Sequence, residues 1–163
     1  MIFVVIGQSG AGKTMFVKNK FLTPPLERIE SLYPVPVTRG GDVYAIGRYG
    51  IGIRCEGTDT TSRNALPKII ETVQRLVAEG KNVLLEGDRI NNDVFFAALA
   101  RLDVAVHLYL LSCAVTTSLA RLRAAGSKIT ETFVKCTKTK ARNRFLRWGN
   151  RFSGEVIITD DAS

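Results

Sequence analysis

The fold is decided at the start of the chain, by Met1-Ile2-Phe3-Val4-Val5-Ile6-Gly7-Gln8-Ser9-Gly10-Ala11-Gly12-Lys13-Thr14. Met1 to Ile6 is a continuous apolar run rich in β-formers, the pattern of a strand buried on both faces of a parallel sheet. Gly7, Gly12, Lys13 and Thr14 fill every fixed position of GxxxxGK[ST]. Glycines stand in that pattern where backbone amides must turn inward around phosphate oxygens, the lysine reaches the outer phosphates, and the hydroxyl faces magnesium. With glycine at about 7% of average usage, two fixed glycines match by chance in about one window in 200, and the lysine and threonine make an accident far rarer. The motif also follows a strand and opens a helix, whose N-terminus adds partial positive charge. Contacts to a triphosphate, ATP in the first instance, are therefore expected from Gly7, Gln8, Ser9, Gly10, Ala11, Gly12, Lys13, Thr14 and Met15, with Thr14 on Mg2+.

Beyond this loop, 13–22 reads as a helix interrupted by Thr23-Pro24-Pro25. Residues 23–42 hold all but one of the prolines and read as a long connection or a substrate flap. Short strands are expected over 43–48 and 51–55, a possible hairpin, followed by a turn at 57–62. A helix over 64–79 is stopped by Gly80. A buried strand over 82–85 runs into Glu86-Gly87-Asp88-Arg89, and helices over 91–102 and 116–125 flank a third buried strand at 104–111. A basic helix over 130–148 precedes a last strand at 155–159. Strands alternating with helices predict an α/β fold of the P-loop NTPase/kinase type: a mostly parallel sheet of about five strands flanked by helices, with a basic helical lid at roughly 121–150. At 163 residues, 45% of them hydrophobic, one domain over 1–163 is expected.

The apolar start is too short for a signal peptide or a membrane span, so a cytoplasmic protein without membrane association is expected. Cys55, Cys113 and Cys136 lack the spacing of a zinc site or a redox pair and read as buried thiols. His107 sits inside an apolar run and reads as a core or strand-face residue. The formal net charge is +8, and its location matters more than its size. Between Arg121 and Arg151 stand ten basic residues and one acid, Glu131, a segment charge of +9, so the remainder carries −1. Such a block is an electrostatic footprint for phosphates, of a nucleotide or of a nucleic-acid backbone.

No NKxD guanine-reading signal occurs, and the chain is small for a motor or helicase ATPase, which leaves a small kinase. Its lid would bring Arg121 and Arg123 over the transferring phosphate, with Lys128 beside them, and Lys140, Arg142 and Asn143 could also reach phosphate or base. A solvated helix face is the rival reading for at least half of the basic block, and Phe145 and Trp148 read as packing the helix to the core. Two acidic groups follow predicted strands and so fall at the carboxyl edge of the sheet, where ligands bind in open α/β folds. They are Glu56 with Asp59, and Glu86 with Asp88. Asp59, in a turn an acceptor could reach, is the expected base; Glu86, ending an apolar strand, is the expected magnesium-side residue. Simple helix capping by Asp59, Ser62 or Asp88 competes with these roles.

The succession of Gly7 to Thr14, Ile46-Gly47-Arg48-Tyr49, Gly57-Thr58-Asp59 with Ser62, Glu86-Gly87-Asp88-Arg89, and Thr139-Lys140 with Asn143 resembles phage P-loop kinases related to nucleotide (thymidylate-like) kinases. Within that group it is most similar to the 5-hydroxymethyluracil DNA kinases. The resemblance implies that ATP phosphorylates the hydroxymethyl oxygen of a modified pyrimidine already in DNA, with Asp59 activating that hydroxyl and Arg48, Glu56, Asp88 and Arg89 near the substrate. The stretch 51–56 departs from the pattern by its length. Two alternatives compete. One is a kinase for free deoxynucleoside monophosphates, its pocket closed by 23–42. The other is a nucleic-acid-binding ATPase or a nucleotide-regulated binding module.

Overall fold

The computed structural model describes residues 1–50 and 55–160. The strand expected over 51–55 therefore falls, apart from Cys55, outside the described residues. In chain order the elements are β1 (Ile2–Gly7), α1 (Lys13–Lys20), β2 (Leu26–Ile29), β3 (Val37–Gly40), β4 (Val43–Ile46), α2 (Leu66–Ala78), β5 (Asn82–Glu86), α3 (Asp93–Ala100), β6 (Val106–Ser112), α4 (Val115–Ala124), α5 (Glu131–Trp148) and β7 (Ser153–Ile158), with one 3₁₀ turn at Thr58–Thr60. They build a single sheet in the order β2-β3-β4-β5-β1-β6-β7. From β4 to β7 every neighbouring pair is parallel, whereas β2, β3 and β4 pair antiparallel.

The central position of β1 explains its unbroken apolar run. Ile2, Val4 and Ile6 face one core with Val83 and Leu85 of β5 and Leu108 of β6, under α2, α3 and α5. Val5, on the opposite face, joins Leu84, Leu111 and Val17 of α1 in a second core. Each fully buried aliphatic side chain of this kind is worth about 1.5–3 kcal/mol. The helices are held by stripes at helical spacing: Ile69, Thr72, Val73 and Leu76 in α2, and Val134, Thr137 and Ala141 in α5, are buried. Phe145 and Trp148 continue the α5 stripe, and the rings of Trp148, Phe96 and Phe152 form a three-way cluster with centroids 5.9–6.1 Å apart.

Some expectations change. The sheet has seven strands rather than about five, because 23–42 is not a flap: it contributes β2 and β3, an antiparallel extension of the edge. The 43–48 strand pairs with β3 on one side and β5 on the other. Within the basic segment expected as a lid, α5 lies on the sheet through its buried stripe. Of the cysteines only Cys113 is buried; Cys55 and Cys136 are exposed. His107 is half-buried on β6 with its ring 5.6 Å from that of Phe3, as a strand-face residue.

Candidate active site

The carboxyl ends of β1, β4, β5 and β6 meet at one edge of the sheet, and there the loop 7–14 leaves β1 and enters α1. Gly10 and Gly12 take positive φ of 78° and 86°, which turns the loop around on itself. The loop is braced from outside. Gln8, 1% exposed, donates through Nε2 to the Cys113 carbonyl at 2.9 Å and to Ser118 Oγ at 2.8 Å. Arg121 Nη1 donates to the Gly10 carbonyl at 3.3 Å, and Thr159 Oγ1 to the Ala11 carbonyl at 2.8 Å. Thr137 of α5 accepts the Ser9 amide at 3.1 Å. Lys13 folds back on the loop, donating from Nζ to the carbonyls of Gly7 and Gln8 at 3.0 Å each. Burial holds its ammonium below the ordinary lysine pKa, against the opposing pull of Glu86, Asp59 and Asp88. Those three acids therefore surround the lysine that would meet the outer phosphates.

Glu86, the last residue of β5, is 2% exposed. Its Oε2 accepts from Thr14 Oγ1 at 3.2 Å and its Oε1 from the Tyr49 hydroxyl at 2.8 Å. Burial pushes this carboxyl up to about 7, although Tyr49, Lys13 and Thr14 pull it down. Thr14 and Glu86 fit magnesium. The ion takes one or two protein oxygens and completes its shell with water and phosphate, rather than needing an all-protein cage. No cluster of three or more acidic, histidine or cysteine ligands occurs among the described residues.

Asp59 lies in the 3₁₀ turn and reaches across to the loop after β5. Its Oδ1 accepts the amides of Asp88 at 3.0 Å and Arg89 at 2.9 Å, and its Oδ2 shares the Asp88 amide at 3.1 Å. The approach requires glycine at 87, where φ is +125° and a Cβ would lie 2.6 Å from the Asp59 carboxyl carbon. Asp59 thus caps no helix: α2 has Ala65 at its N-cap with no side-chain cap, and α3 is capped by Asn92 instead of Asp88. Glu56 pairs with Lys18 at 3.0 Å and accepts the Gly50 amide at 2.8 Å. Arg48 forms a two-pronged pair with Glu30, at 2.9 and 3.0 Å. Arg89 donates to the Asp59 carbonyl at 3.4 Å, while its buried Nε has no partner among the described residues.

The basic block divides. Lys140 pairs with Asp88 at 3.1 Å, Lys135 with Glu131 at 2.7 Å, and Arg144 with Asp93 at 2.5 Å. Arg147 also bonds Asp93, Lys138 donates to the Cys113 carbonyl, and Arg151 lies over the Trp148 ring. Arg123, Lys128, Arg142 and Asn143 are exposed. Arg121 lies against the phosphate loop, donating to the Gly10 carbonyl. It bonds both the side chain and the carbonyl of Thr159 and, with Ala11, Gly12, Met15, Phe16, Ile157 and Ile158, it bounds a cavity of about 740 Å³ beside the loop. Three members of the site escaped the sequence reading: Tyr49, Thr137 and Thr159. Helical spacing places Thr137 on the inner face of α5, but nothing in the sequence pairs any of the three with its partner.

No family model matches the chain, and no curated protein matches it. Among solved structures it is similar to deoxyadenosine kinase from M. mycoides with bound dATP, at 11% identity and a TM-score of 0.46, over 100% of this chain and 92% of that one. The same enzyme with bound dCTP gives 12% identity and a TM-score of 0.47 over 100% and 91%. Among the described residues no helix is long and apolar enough to cross a membrane.

Proposed function

We propose that the protein is an ATP-dependent phosphotransferase of the P-loop kinase class, whose acceptor is the hydroxymethyl oxygen of 5-hydroxymethyluracil carried in DNA. The observation that supports it is the convergence of Lys13, Thr14, Glu86 and Asp59 at one edge of the sheet. The amides of 7–14 cradle the phosphates, and Lys13 leaves the carbonyls of Gly7 and Gln8 to bridge the outer two. The cavity bounded by Met15, Phe16, Ile157 and Arg121 suits a flat apolar base. Thr14 and Glu86 would hold magnesium, which supplies neutralisation of charge on the outer phosphates. Asp59, held in aim by two backbone amides, keeps Oδ2 as its less committed oxygen and accepts the proton of the attacking hydroxyl. The acceptor oxygen bonds to the γ-phosphorus, the bond from that phosphorus to the β–γ bridging oxygen breaks, and ADP leaves.

The edge hairpin favours an acceptor on a large molecule. β2 is the outer strand of the sheet, four positions from β1, or about 19 Å at the usual strand spacing. It is therefore spent on the sheet and not on closing a small pocket over the loop. A second reading, a kinase for free deoxynucleotides, is favoured by the pairing of five α5 cations within the chain, which reduces the charge left for a DNA backbone. Labelled ATP offered with 5-hydroxymethyluracil DNA, ordinary DNA and deoxynucleoside monophosphates separates these readings. Label on the modified DNA is expected, label on monophosphates alone would sink that reading, and release of free phosphate with no labelled acceptor would indicate an ATPase.

A further inference from the structure

We infer that Tyr49 is a positioning residue for the metal-side carboxylate: its hydroxyl holds one oxygen of Glu86 so that the other is presented to Thr14 and to the ion beside it. The inference rests on the proposed roles of Thr14 and Glu86. Tyr49 is 1% exposed and Glu86 2% exposed, so neither can exchange its partner for water. The Tyr49 hydroxyl donates to Oε1 at 2.8 Å, and Thr14 Oγ1 donates to Oε2 at 3.2 Å, so the two oxygens of one carboxylate have separate duties. The surroundings hold this division in place. Thr58 Oγ1 accepts the Glu86 amide at 3.1 Å and itself donates to the Ile46 carbonyl at 2.9 Å, tying the end of β5 to the end of β4, just before Tyr49. Gly57, at φ +98°, leaves room for the carboxylate, since a Cβ there would lie 2.8 Å from Oε1.

Without the phenol hydroxyl, Oε1 becomes a buried acceptor with no donor, and the carboxylate is free to rotate both oxygens toward Thr14 and Lys13. The cost falls on metal affinity first, because partners that orient ligating carboxylates typically contribute 10–100-fold. Tyr49 lies on the acceptor-side segment that also carries Glu56 and Asp59, so it links that segment to the metal side of the site.

The test titrates a fluorescent ATP analogue against Tyr49→Phe and the unaltered protein, with and without Mg2+, and reads the Mg2+ concentration that half-saturates the tightening of nucleotide binding. On the order of a tenfold rise is expected, with metal-free nucleotide affinity within about twofold of the unaltered protein. Equal losses with and without metal, or an unchanged Mg2+ requirement, would overturn the inference. Glu86→Gln provides a background that stays informative if Tyr49→Phe alone folds poorly, because it removes the buried charge. On it, adding Tyr49→Phe should change the Mg2+ requirement less than about twofold, and a second tenfold rise would mean that Tyr49 does not act through Glu86. If the unaltered protein binds nucleotide with no response to Mg2+, the magnesium roles of Thr14 and Glu86 fail, and this inference with them. A normal response in the unaltered protein with none of the expected change in Tyr49→Phe defeats the inference alone.

Discussion

Glu86→Gln should make the metal-free protein more stable above neutral pH while leaving it nearly unchanged in acid. Burial raises the carboxyl from its ordinary 4.5 to about 7 in the folded chain. Below pH 4.5 the group is protonated in both folded and unfolded chains and contributes no difference. As pH climbs from there toward 7, the unfolded chain releases its proton while the folded chain retains it, so stability falls through that window and is flat above it. At 1.36 kcal/mol per pH unit, the interval from 4.5 to about 7 amounts to roughly 3 kcal/mol. In a chain of this size each kcal/mol moves the melting temperature by about 2–4 °C, so the upper bound is roughly 6–12 °C. Glutamine keeps both partners: its oxygen accepts from Tyr49 and its amide can donate to Thr14.

The assay is thermal unfolding without Mg2+ or nucleotide from pH 4 to 8.5, comparing Glu86→Gln with the unaltered protein. Taking the difference cancels the other titrating groups. The gap in melting temperature should open between pH 4.5 and 7 and then hold. A gap constant across the whole range would refute the reasoning, because it would mean that Glu86 titrates alike in folded and unfolded chains. Magnesium reverses the preference, since it needs the charged carboxylate. Binding of nucleotide with Mg2+ near pH 6 should therefore release more protons in the unaltered protein than in Glu86→Gln, where only the terminal phosphate of the nucleotide contributes, as calorimetry in buffers of different ionisation enthalpy would detect.

Lys13→Ala should abolish both nucleotide affinity and transfer while the far-ultraviolet spectrum stays native; transfer persisting above about 10% would remove the loop from the donor site. Asp59→Asn replaces an acceptor by a donor facing the Asp88 or Arg89 amide, so a stability loss of about 1–3 kcal/mol is expected in denaturant titration. If Asp59 is also the base, transfer falls far more than ATP affinity; a parallel fall of the two would leave it as an anchor of the β5 loop. Asp93→Asn loosens Arg144 and Arg147; loss of the Arg147 pair costs below about 1 kcal/mol, because both its partners are exposed, whereas Arg144 is only 19% exposed and adds to that cost. Binding to modified DNA should then tighten, with a steeper dependence on salt. Unchanged DNA affinity would count against α5 as the DNA-facing helix.

The parts of this molecule visible in its sequence are those specified by local chemistry. The loop 7–14 can be read because its amides, its lysine and its hydroxyl are all supplied within eight residues. The parallel strands can be read because burial on both faces leaves β1 as an unbroken apolar run and β5 and β6 as mostly apolar ones. β2 and β3 could not be, because each is four residues long, carries charges such as Glu27, Arg28 and Arg39, and is surrounded by prolines. β2, the edge strand, tolerates such residues because one side of its ladder needs no partner. Site roles follow the same division. Glu86 is visible as the acid that ends an apolar strand, but the burial that raises its carboxyl and the phenol 37 residues away that bonds it are not. The donors to Asp59 are backbone amides 29 and 30 residues further along the chain, which have no residue signature at all.

The basic segment is the instructive case, because its composition is plain and its use is not. Charge counting treats its ten cations as one footprint, but folding brings Asp88 and Asp93 against α5 from the β5 loop and the start of α3. Those two acids engage Lys140, Arg144 and Arg147. The Lys140 and Arg147 pairs are half exposed, so each adds little to stability, whereas Arg144 is only 19% exposed and is held more firmly. Their stronger effect is positional: with the Thr137 bond to Ser9, they set one helix against both the phosphate loop and the acidic loop beside it. A phosphate-rich acceptor can compete for cations held this weakly, whereas it could not displace a buried pair. Binding of DNA should therefore free Asp88 and Asp93, and the salt dependence of Asp93→Asn relative to the unaltered protein measures that exchange.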